Sequence, residues 1–183
     1  MREIEGFDQL AENQGGEFEQ LPADGYICVI SSVEDVADKE YLKIEFDIAE
    51  GKYKGWFANM YSRAGFWGGR FIRSYKEKAA SFFKGFTTAV ESSNAGYKWA
   101  WNEQSLVGKK IGLVLAHEEY HGNDGRIKIR PYVVQNRSVD AITKGDFRIP
   151  SLKPLEGNAQ QPSTASQPDA NGFVEIPASK LPF

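Results

Sequence analysis

Apolar and polar side chains alternate along residues 41–48 more regularly than anywhere else in the chain. Every second position is apolar, namely Leu42, Ile44, Phe46 and Ile48. A period of two is typical of a β-strand that buries one face and leaves the other wet. The pattern therefore predicts a half-buried strand at residues 41–48.

Four other segments have the β-branched composition or the alternation of strands. They are residues 26–33, 52–61, 111–115 and 126–134. Gly51 marks a turn, so we expect residues 52–61 to return beside residues 41–48 as a hairpin. Residues 122–125 read Gly-Asn-Asp-Gly, a strong hairpin signal between the last two strands.

The spacing changes between residues 71 and 91, where apolar side chains recur every three or four positions. They are Ile72, Tyr75, Ala79, Phe82, Phe83, Phe86 and Val90. This spacing predicts an amphipathic helix. Asn94 and Gly96 are residue types suited to end it.

Three strands, one helix and two further strands predict a mainly β fold. The arrangement is that of a five-stranded OB-fold barrel with one amphipathic helix between strands 3 and 4. An unclosed α+β sandwich is the alternative. The barrel would occupy residues 21–155 and follow an acidic N-terminal arm at residues 1–20.

Residues 156–183 have a different composition, rich in Gln, Ser, Pro, Asn and Ala. Such a segment buries too little apolar surface to offset its ordering entropy, so we expect a disordered, flexible tail. Its bulky apolar residues are Phe173, Ile176, Leu181, Pro182 and Phe183. A terminal Phe carboxylate on a tether suits capture by a partner that offers an apolar pocket and a cation. The alternative is an ordinary frayed chain end.

A formal net charge of -3 hides a separation of charge along the chain. Residues 1–50 hold 14 acidic and 3 basic side chains, whereas residues 51–137 hold 6 acidic and 15 basic ones. All four tryptophans lie in this basic middle region. Because cations neutralise phosphates and flat rings stack on unpaired bases, the mixture is suited to single-stranded nucleic acid. The alternative is a mixed, solvated surface without a ligand.

Ten residues of the basic middle region form the candidate site for single-stranded DNA. The cations expected to bind phosphates are Lys52, Lys54, Arg63, Arg126, Lys128 and Arg130. The rings expected to stack on bases are Trp56, Tyr61, Trp67 and Tyr132. On the last strand the cations and Tyr132 share one face, and we expect Ile127 and Ile129 to be buried on the other.

Residues 117–121 spell His-Glu-x-x-His, the pattern of zinc peptidases. Zinc binding by this motif requires a helix, whereas a strand pattern precedes it and Gly122 turns the chain after it. On a strand His117 and His121 would lie about 13 Å apart. No P-loop is present, and Cys28 has no His close to it in sequence. We expect no enzyme, no metal and no cofactor, with a zinc peptidase as the alternative.

The single cysteine, Cys28, excludes a disulfide within the chain and favours a reducing compartment. No apolar run approaches the roughly 18 residues that a membrane span needs. The first residues are acidic and lack a signal-peptide core. We therefore expect a cytoplasmic protein with no membrane contact.

Four blocks of the chain resemble single-stranded DNA-binding proteins from phages of Gram-positive bacteria. They are residues 41–55 (YLKIEFDIAEGKYKG), 106–112 (LVGKKIG), 118–125 (EEYHGNDG) and 147–155 (FRIPSLKPL). The ending, residues 172–175 and 181–183, is similar to the tail of that family, which resembles the partner-recruiting tips of bacterial single-stranded DNA-binding proteins. Residues 178–180 depart from the pattern, since they read Ala-Ser-Lys where such tips are usually acidic.

The resemblance implies an OB-fold protein that binds and protects single-stranded DNA during phage DNA replication or recombination, without catalysis. It implies that the tail recruits replication or recombination proteins, and that the protein acts in the host cytoplasm. Members of the family are often homodimers. A strand-annealing or recombination mediator on the same surface is an alternative, as is a structural module that binds only protein.

Overall fold

The computed structural model describes residues 19–155, and the chain is mainly β with a few helices. Its strands are β1 (Asp24–Val36), β2 (Tyr41–Ile48), β3 (Arg70–Ser74), β4 (Lys110–His121) and β5 (Ile127–Arg137). Its α-helices are α1 (Trp56–Ala64), α2 (Ala80–Ser93) and α3 (Val139–Thr143). Lys153 is the last residue of one compact unit, and Pro154 begins a second.

The five strands form one antiparallel sheet in the order β3-β2-β1-β4-β5. Because β4 returns beside β1, the first four strands have the spatial order of a Greek key. The expected closed barrel is wrong, since β3 and β5 are the two edges of the sheet and no ladder joins them among residues 19–155.

A side-chain contact, rather than a ladder, connects the two edges. Arg73 on β3 donates from Nη2 to Oδ1 of Asn136 on β5 at 2.7 Å. Arg73 pairs with Leu42, and Asn136 pairs with Leu113, so both side chains stand on the face of the sheet that carries the core. β3 is only five residues long, which leaves few backbone groups with which to close a barrel.

The alternation predicted at residues 41–48 is confirmed by the core. Leu42, Ile44, Phe46 and Ile48 are all at most 3% exposed. Ile111, Leu113 and Leu115 of β4 lie in the same cluster, and α2 adds Phe86 and Val90. The core therefore lies between one face of the sheet and helix α2.

The strand predicted at residues 52–61 is wrong, because this segment forms a turn and helix α1. Gly51 and Gly55 have φ of 87° and 72°, a backbone region that favours glycine and breaks an extended run. The Asp47 carboxylate then accepts the N–H groups of Phe57 and Ala58 at 3.0 and 3.2 Å. These are donors that a helix start otherwise leaves unpaired.

The helix predicted at residues 71–91 is correct only in its second half. Residues 70–74 form edge strand β3, and the α-helix begins at Ala80 after a short 3-10 turn, Glu77–Ala79. Phe71 faces the core at 7% exposed while its neighbour Ile72 is 52% exposed, which is strand-like alternation. α2 does lie between β3 and β4, as expected, but α1 and α3 are additional helices.

Helix α3 packs over β1 and β4 on the face of the sheet away from the core. A Cβ atom on Gly112 would collide with Ile142 of α3 and with the main-chain oxygen of Ser138. Glycine at this position is therefore what allows the helix to approach the strand. None of the helices within residues 19–155 is long and apolar enough to cross a membrane.

Candidate nucleic-acid interface

Helix α1 and the turn before it form the wall of a cavity of about 260 Å³. Its lining residues are Glu19, Lys52, Tyr53, Lys54, Trp56, Asn59, Met60 and Arg63. Four of the ten residues expected to bind DNA, the three cations and Trp56, therefore meet in one place. Glu19, Tyr53, Asn59 and Met60 were not part of the sequence-based site.

The local fold explains why these side chains converge. The turn at residues 51–55 presents Lys52 and Lys54 directly before α1. Phe57, at 1% exposed, anchors the helix in the core, where its ring lies 5.2 Å from that of Phe46. Arg63 lies in the last turn of α1, where a cation also interacts favourably with the helix dipole.

The cations of the cavity differ in how far they are already neutralised. Lys52 Nζ donates to the Tyr53 hydroxyl at 3.2 Å and to Glu19 Oε1 at 3.1 Å. These two contacts raise the pKa of Lys52, so it is fully charged at neutral pH. Within residues 19–155, neither Lys54 nor Arg63 has an ion-pair partner. Lys54 and Arg63 are thus the cations most available to a phosphate.

Trp56 forms a wall of the cavity rather than a free stacking surface. Its ring meets that of Tyr53 edge-on, with centroids 5.5 Å apart and planes at 78°. It also packs against the core, and its Nε1–H is buried without a hydrogen-bond partner among the described residues. A buried donor without a partner is rare in a folded protein, and Arg73 Nε and Trp99 Nε1 are the other two among the described residues.

Tyr61 and Trp67, also expected to stack on bases, contact each other. Their ring centroids are 6.3 Å apart with planes at 62°. Trp67 is held in place because its Nε1 donates to the Gly69 carbonyl at 2.9 Å. Tyr61 is 54% exposed, so it is the ring of this pair that a base could reach.

The remaining four predicted residues lie on the hairpin of β4 and β5. Arg130 pairs with Glu118 across the hairpin, and Lys128 with Tyr120, so the basic face predicted for the strand is correct. Arg130 Nε donates to Glu118 Oε1 at 2.8 Å, and the guanidinium lies 5.0 Å from the Tyr120 ring centroid. The cations of β5 therefore stand in a row on one face of the hairpin.

Carboxylates and a second lysine occupy parts of this basic face. Glu118 is paired with Lys153 at 3.6 Å as well as with Arg130, and Lys128 is paired with Asp124 at 3.1 Å. The hydrogen bond from Lys128 lowers the pKa of Asp124, which keeps that carboxylate charged. Among residues 19–155, Arg126 has no ion pair.

Tyr132 is the aromatic member of this hairpin face. Lys153 Nζ lies 5.8 Å from its ring centroid, so a cation already covers part of the ring. A base that stacks on Tyr132 would have to share the ring with this lysine or displace it.

The expected burial of Ile127 and Ile129 is wrong, since they are 46% and 43% exposed. The cause is the length of the hairpin. β1 pairs with β4 only as far as Leu115, opposite Asp24, so the last part of the hairpin extends beyond the body of the sheet. The alternation of apolar and polar residues shows on which face of the strand a side chain lies, but not whether another part of the protein covers that face.

Residues 19–21 lie between the cavity and the hairpin. Glu19 contacts Lys52 in the cavity, and two residues later the Leu21 carbonyl accepts a hydrogen bond from His117 of β4 at 2.7 Å. The two basic groups therefore lie at the same end of the sheet. No hydrogen bond or ion pair among the described residues joins the cavity cations to those of the hairpin.

The His-Glu-x-x-His motif lies on strand β4, as predicted, rather than on a helix. His117 is held by the Leu21 carbonyl, and His121 is exposed at the end of the strand. Within residues 19–155 no group of three His, Cys, Asp or Glu side chains is placed to hold a metal. Cys28 is fully buried, and this burial raises the pKa of its thiol, which keeps it protonated at neutral pH.

Neither a protein family nor a curated protein matches this chain. A function for it therefore has to be supported by the charge, burial and geometry of its own residues.

Proposed function

We propose that this protein binds single-stranded DNA without sequence specificity and without catalysis. The observation that supports this most is the cavity at α1, where Lys52, Lys54 and Arg63 meet the rings of Tyr53 and Trp56. Cations that follow a phosphate backbone beside aromatic rings are the common features of proteins that bind unpaired strands. The hairpin cations Arg126, Lys128 and Arg130 lie at the same end of the sheet, and two of them are already paired with Asp124 and Glu118.

The chemistry of these residues favours binding to the phosphate backbone of DNA over recognition of a particular base sequence. Lys and Arg bind phosphates of any nucleotide, and every base has a face that can stack on a ring. Only Asn59 among the cavity residues has the amide that typically reads base edges in pairs. We therefore propose a role in which single-stranded DNA is covered whatever its sequence, namely protection of exposed strands in phage DNA replication or recombination.

The finer fold assignment that we propose is an OB-fold whose barrel is partly open between β3 and β5. OB-folds are five-stranded, partly open Greek-key barrels that bind oligonucleotides. The Greek-key order of the first four strands and the Arg73–Asn136 contact between the edges support the assignment. The resemblance of four blocks within residues 41–155 to phage single-stranded DNA-binding proteins is consistent with it.

Titration with oligo-dT at several salt concentrations tests the proposed function. Each neutralised phosphate contributes about -0.7 to the slope of log affinity against log salt on single strands, so six cations predict a slope of about -4. Tryptophan emission is expected to be quenched on binding, because Trp56 lies in the cavity. A duplex of equal length is the control. Tighter binding to the duplex, or a slope near zero, would contradict the proposal.

We further propose that the end of the chain recruits replication or recombination proteins. The tip, Phe173, Ile176, Leu181, Pro182 and Phe183, lies outside the described residues. The Phe183 ring offers an apolar group that a pocket of the partner could hold. Deleting residues 174–183 is expected to abolish partner capture and to leave affinity for single-stranded DNA unchanged, since the residues removed hold one negative side chain, Glu175, and one positive side chain, Lys180.

Pull-downs from host lysate measure partner capture by three proteins, namely the full chain, the deletion variant and Phe183→Ala. Phe183→Ala is expected to behave as the deletion does, because it removes the ring that fills the pocket. Phe82→Ala, which removes an exposed ring of α2 outside the tip, is a matched control for loss of one apolar ring. Equal capture by the full chain and both variants would show that the end of the chain has no recruiting role.

A further inference from the structure

Three aromatic rings, one from α2 and two from the segment that connects α2 to β4, form a cluster remote from the cavity. Phe83 of α2 lies 6.2 Å from Trp101, with ring planes only 19° apart, so the two rings are stacked. Trp99 contacts both, at 5.9 Å from Phe83 and 6.1 Å from Trp101. We call Phe83, Trp99 and Trp101 the aromatic triad.

Trp101 is the outermost member of the aromatic triad and is 78% exposed. One face of its indole lies against Phe83, which is itself 6% exposed, so the other face is open to solvent. An exposed tryptophan held parallel to a buried ring presents a flat apolar surface of defined orientation. This geometry differs from that of Trp56, which meets Tyr53 edge-on inside the cavity.

The backbone at Trp101 is strained as well. Its φ is 57°, and within residues 19–155 only one other non-glycine residue, Glu40, has a positive φ. Bulky residues adopt this region at a cost of about 1–2 kcal/mol, and such strain persists chiefly at functional positions. The chain thus holds an exposed indole in an unfavourable backbone conformation.

The aromatic triad and the cavity lie at opposite ends of β1. Tyr26, near the start of β1, contacts Tyr53 of the cavity, with ring centroids 6.1 Å apart. Val33, near its end, accepts a hydrogen bond from Gln104, three residues after Trp101. Val33 comes seven residues after Tyr26, a distance of about 24 Å along the strand.

Lysines and carboxylates both lie near the aromatic triad. The cations of residues 76–101 are Lys76, Lys78, Lys84 and Lys98, against the two acids Glu77 and Glu91. Glu91 is already paired with Lys98 at 3.1 Å, and within residues 19–155 the other three lysines are exposed and have no ion pair. Two further acids lie close by, since Glu103 follows Trp101 by two residues and Asp35 accepts a hydrogen bond from Tyr75, whose ring packs on Phe83. The three unpaired lysines are the cations available to phosphates there.

We propose that the open face of Trp101 is a second stacking site, which binds an unpaired base of the same DNA strand that the cavity binds. The inference rests on the proposed function, and it adds the direction in which a bound DNA strand would continue from the cavity. The exposed lysines would bind the phosphates that flank the stacked base. Site sizes of about 4–16 nucleotides per OB-fold leave room for a strand that reaches both ends of β1.

The test compares Trp101→Asn with the wild-type protein on labelled oligo-dT of about 4 and about 30 nucleotides, of which only the longer can span both sites. Asn tolerates the left-handed backbone, so this variant removes the ring without adding strain. We expect it to bind the longer strand roughly tenfold more weakly, as loss of one stacked base predicts, and the shorter strand as the wild type does. Fluorescence anisotropy measures both affinities, and a thermal melt checks that folding is intact.

Two further variants make the result specific. Trp101→Tyr keeps a planar ring and is expected to restore most of the affinity for the longer strand. Phe82→Ala removes another exposed ring of α2, which is 74% exposed and outside the aromatic triad, and is expected to have no effect. Wild-type affinity of Trp101→Asn for both lengths would overturn the inference and leave the proposed function intact. The inference would also be overturned, with the proposed function intact, if Trp101→Asn bound DNA normally and lost only the ability to self-associate. Failure of the wild-type protein to bind either strand would overturn both.

Discussion

Replacing Lys54 and Arg63 together with alanine is expected to weaken binding to single-stranded DNA at least tenfold at about 0.1 M salt. Both line the cavity, and neither has an ion pair among the described residues. Their whole charge is therefore available to phosphates, unlike that of Lys52, which already contacts Glu19. The slope of log affinity against log salt should fall in magnitude by about 1.4, since two phosphate contacts are lost.

A charge-matched control separates a local effect from a change in overall charge. Lys39→Ala with Lys144→Ala removes two exposed cations elsewhere in the described structure and is expected to leave the salt slope nearly unchanged. Both double variants should keep a melting temperature close to that of the wild type, because the altered side chains are not part of the core. Equal weakening by the two pairs would show that the cavity has no special role in binding.

Asn136→Leu is expected to lower the free energy of unfolding by about 2–3 kcal/mol, measured by urea denaturation. Arg73 is largely buried, and this burial lowers its pKa to about 10, so it still carries its charge at neutral pH. Its Nε has no partner among the described residues, and its Nη2 depends on Asn136. Removing the Asn136 oxygen leaves the buried guanidinium charge of Arg73 with one hydrogen bond fewer to stabilise it.

The double variant Arg73→Met with Asn136→Leu provides the contrast. It removes both members of the contact and fills the space with apolar atoms, so it should recover most of the stability lost in the single variant. A double variant less stable than Asn136→Leu alone would mean that Arg73 stabilises the fold by another contact, for instance with the Phe71 ring at 4.8 Å.

The sequence predicted those parts of the fold in which local pattern and tertiary position agree. The alternation of β2 follows from one buried face, and the hairpin of β4 and β5 follows from its Gly-Asn-Asp-Gly turn. Helix α1 was missed although Phe57, Met60, Tyr61 and Ala64 have helical spacing, because the turn at Gly51 favoured a hairpin. The contact that supports the start of the helix comes from Asp47, ten residues before Phe57 and on another element.

The candidate site was predictable in its residue types and less so in its geometry. Clustered cations and rings indicated Lys52, Lys54 and Trp56, but Glu19 joins them only through the tertiary fold. The exposure of Trp101 was equally out of reach, because periodicity does not reveal which side of a ring is covered. Pairing of Arg130 with Glu118 required the register of the hairpin.

The hairpin of β4 and β5 has a consequence for how this protein can diverge. Because its outer part, beyond the buried Ala116, contributes no residue to the core, insertions or deletions near residues 122–125 would change its reach with little loss of folding stability. On the proposed function, length at this one turn would then set how many nucleotides each molecule covers. Variants with longer or shorter turns are expected to differ in footprint on DNA while keeping the same sheet.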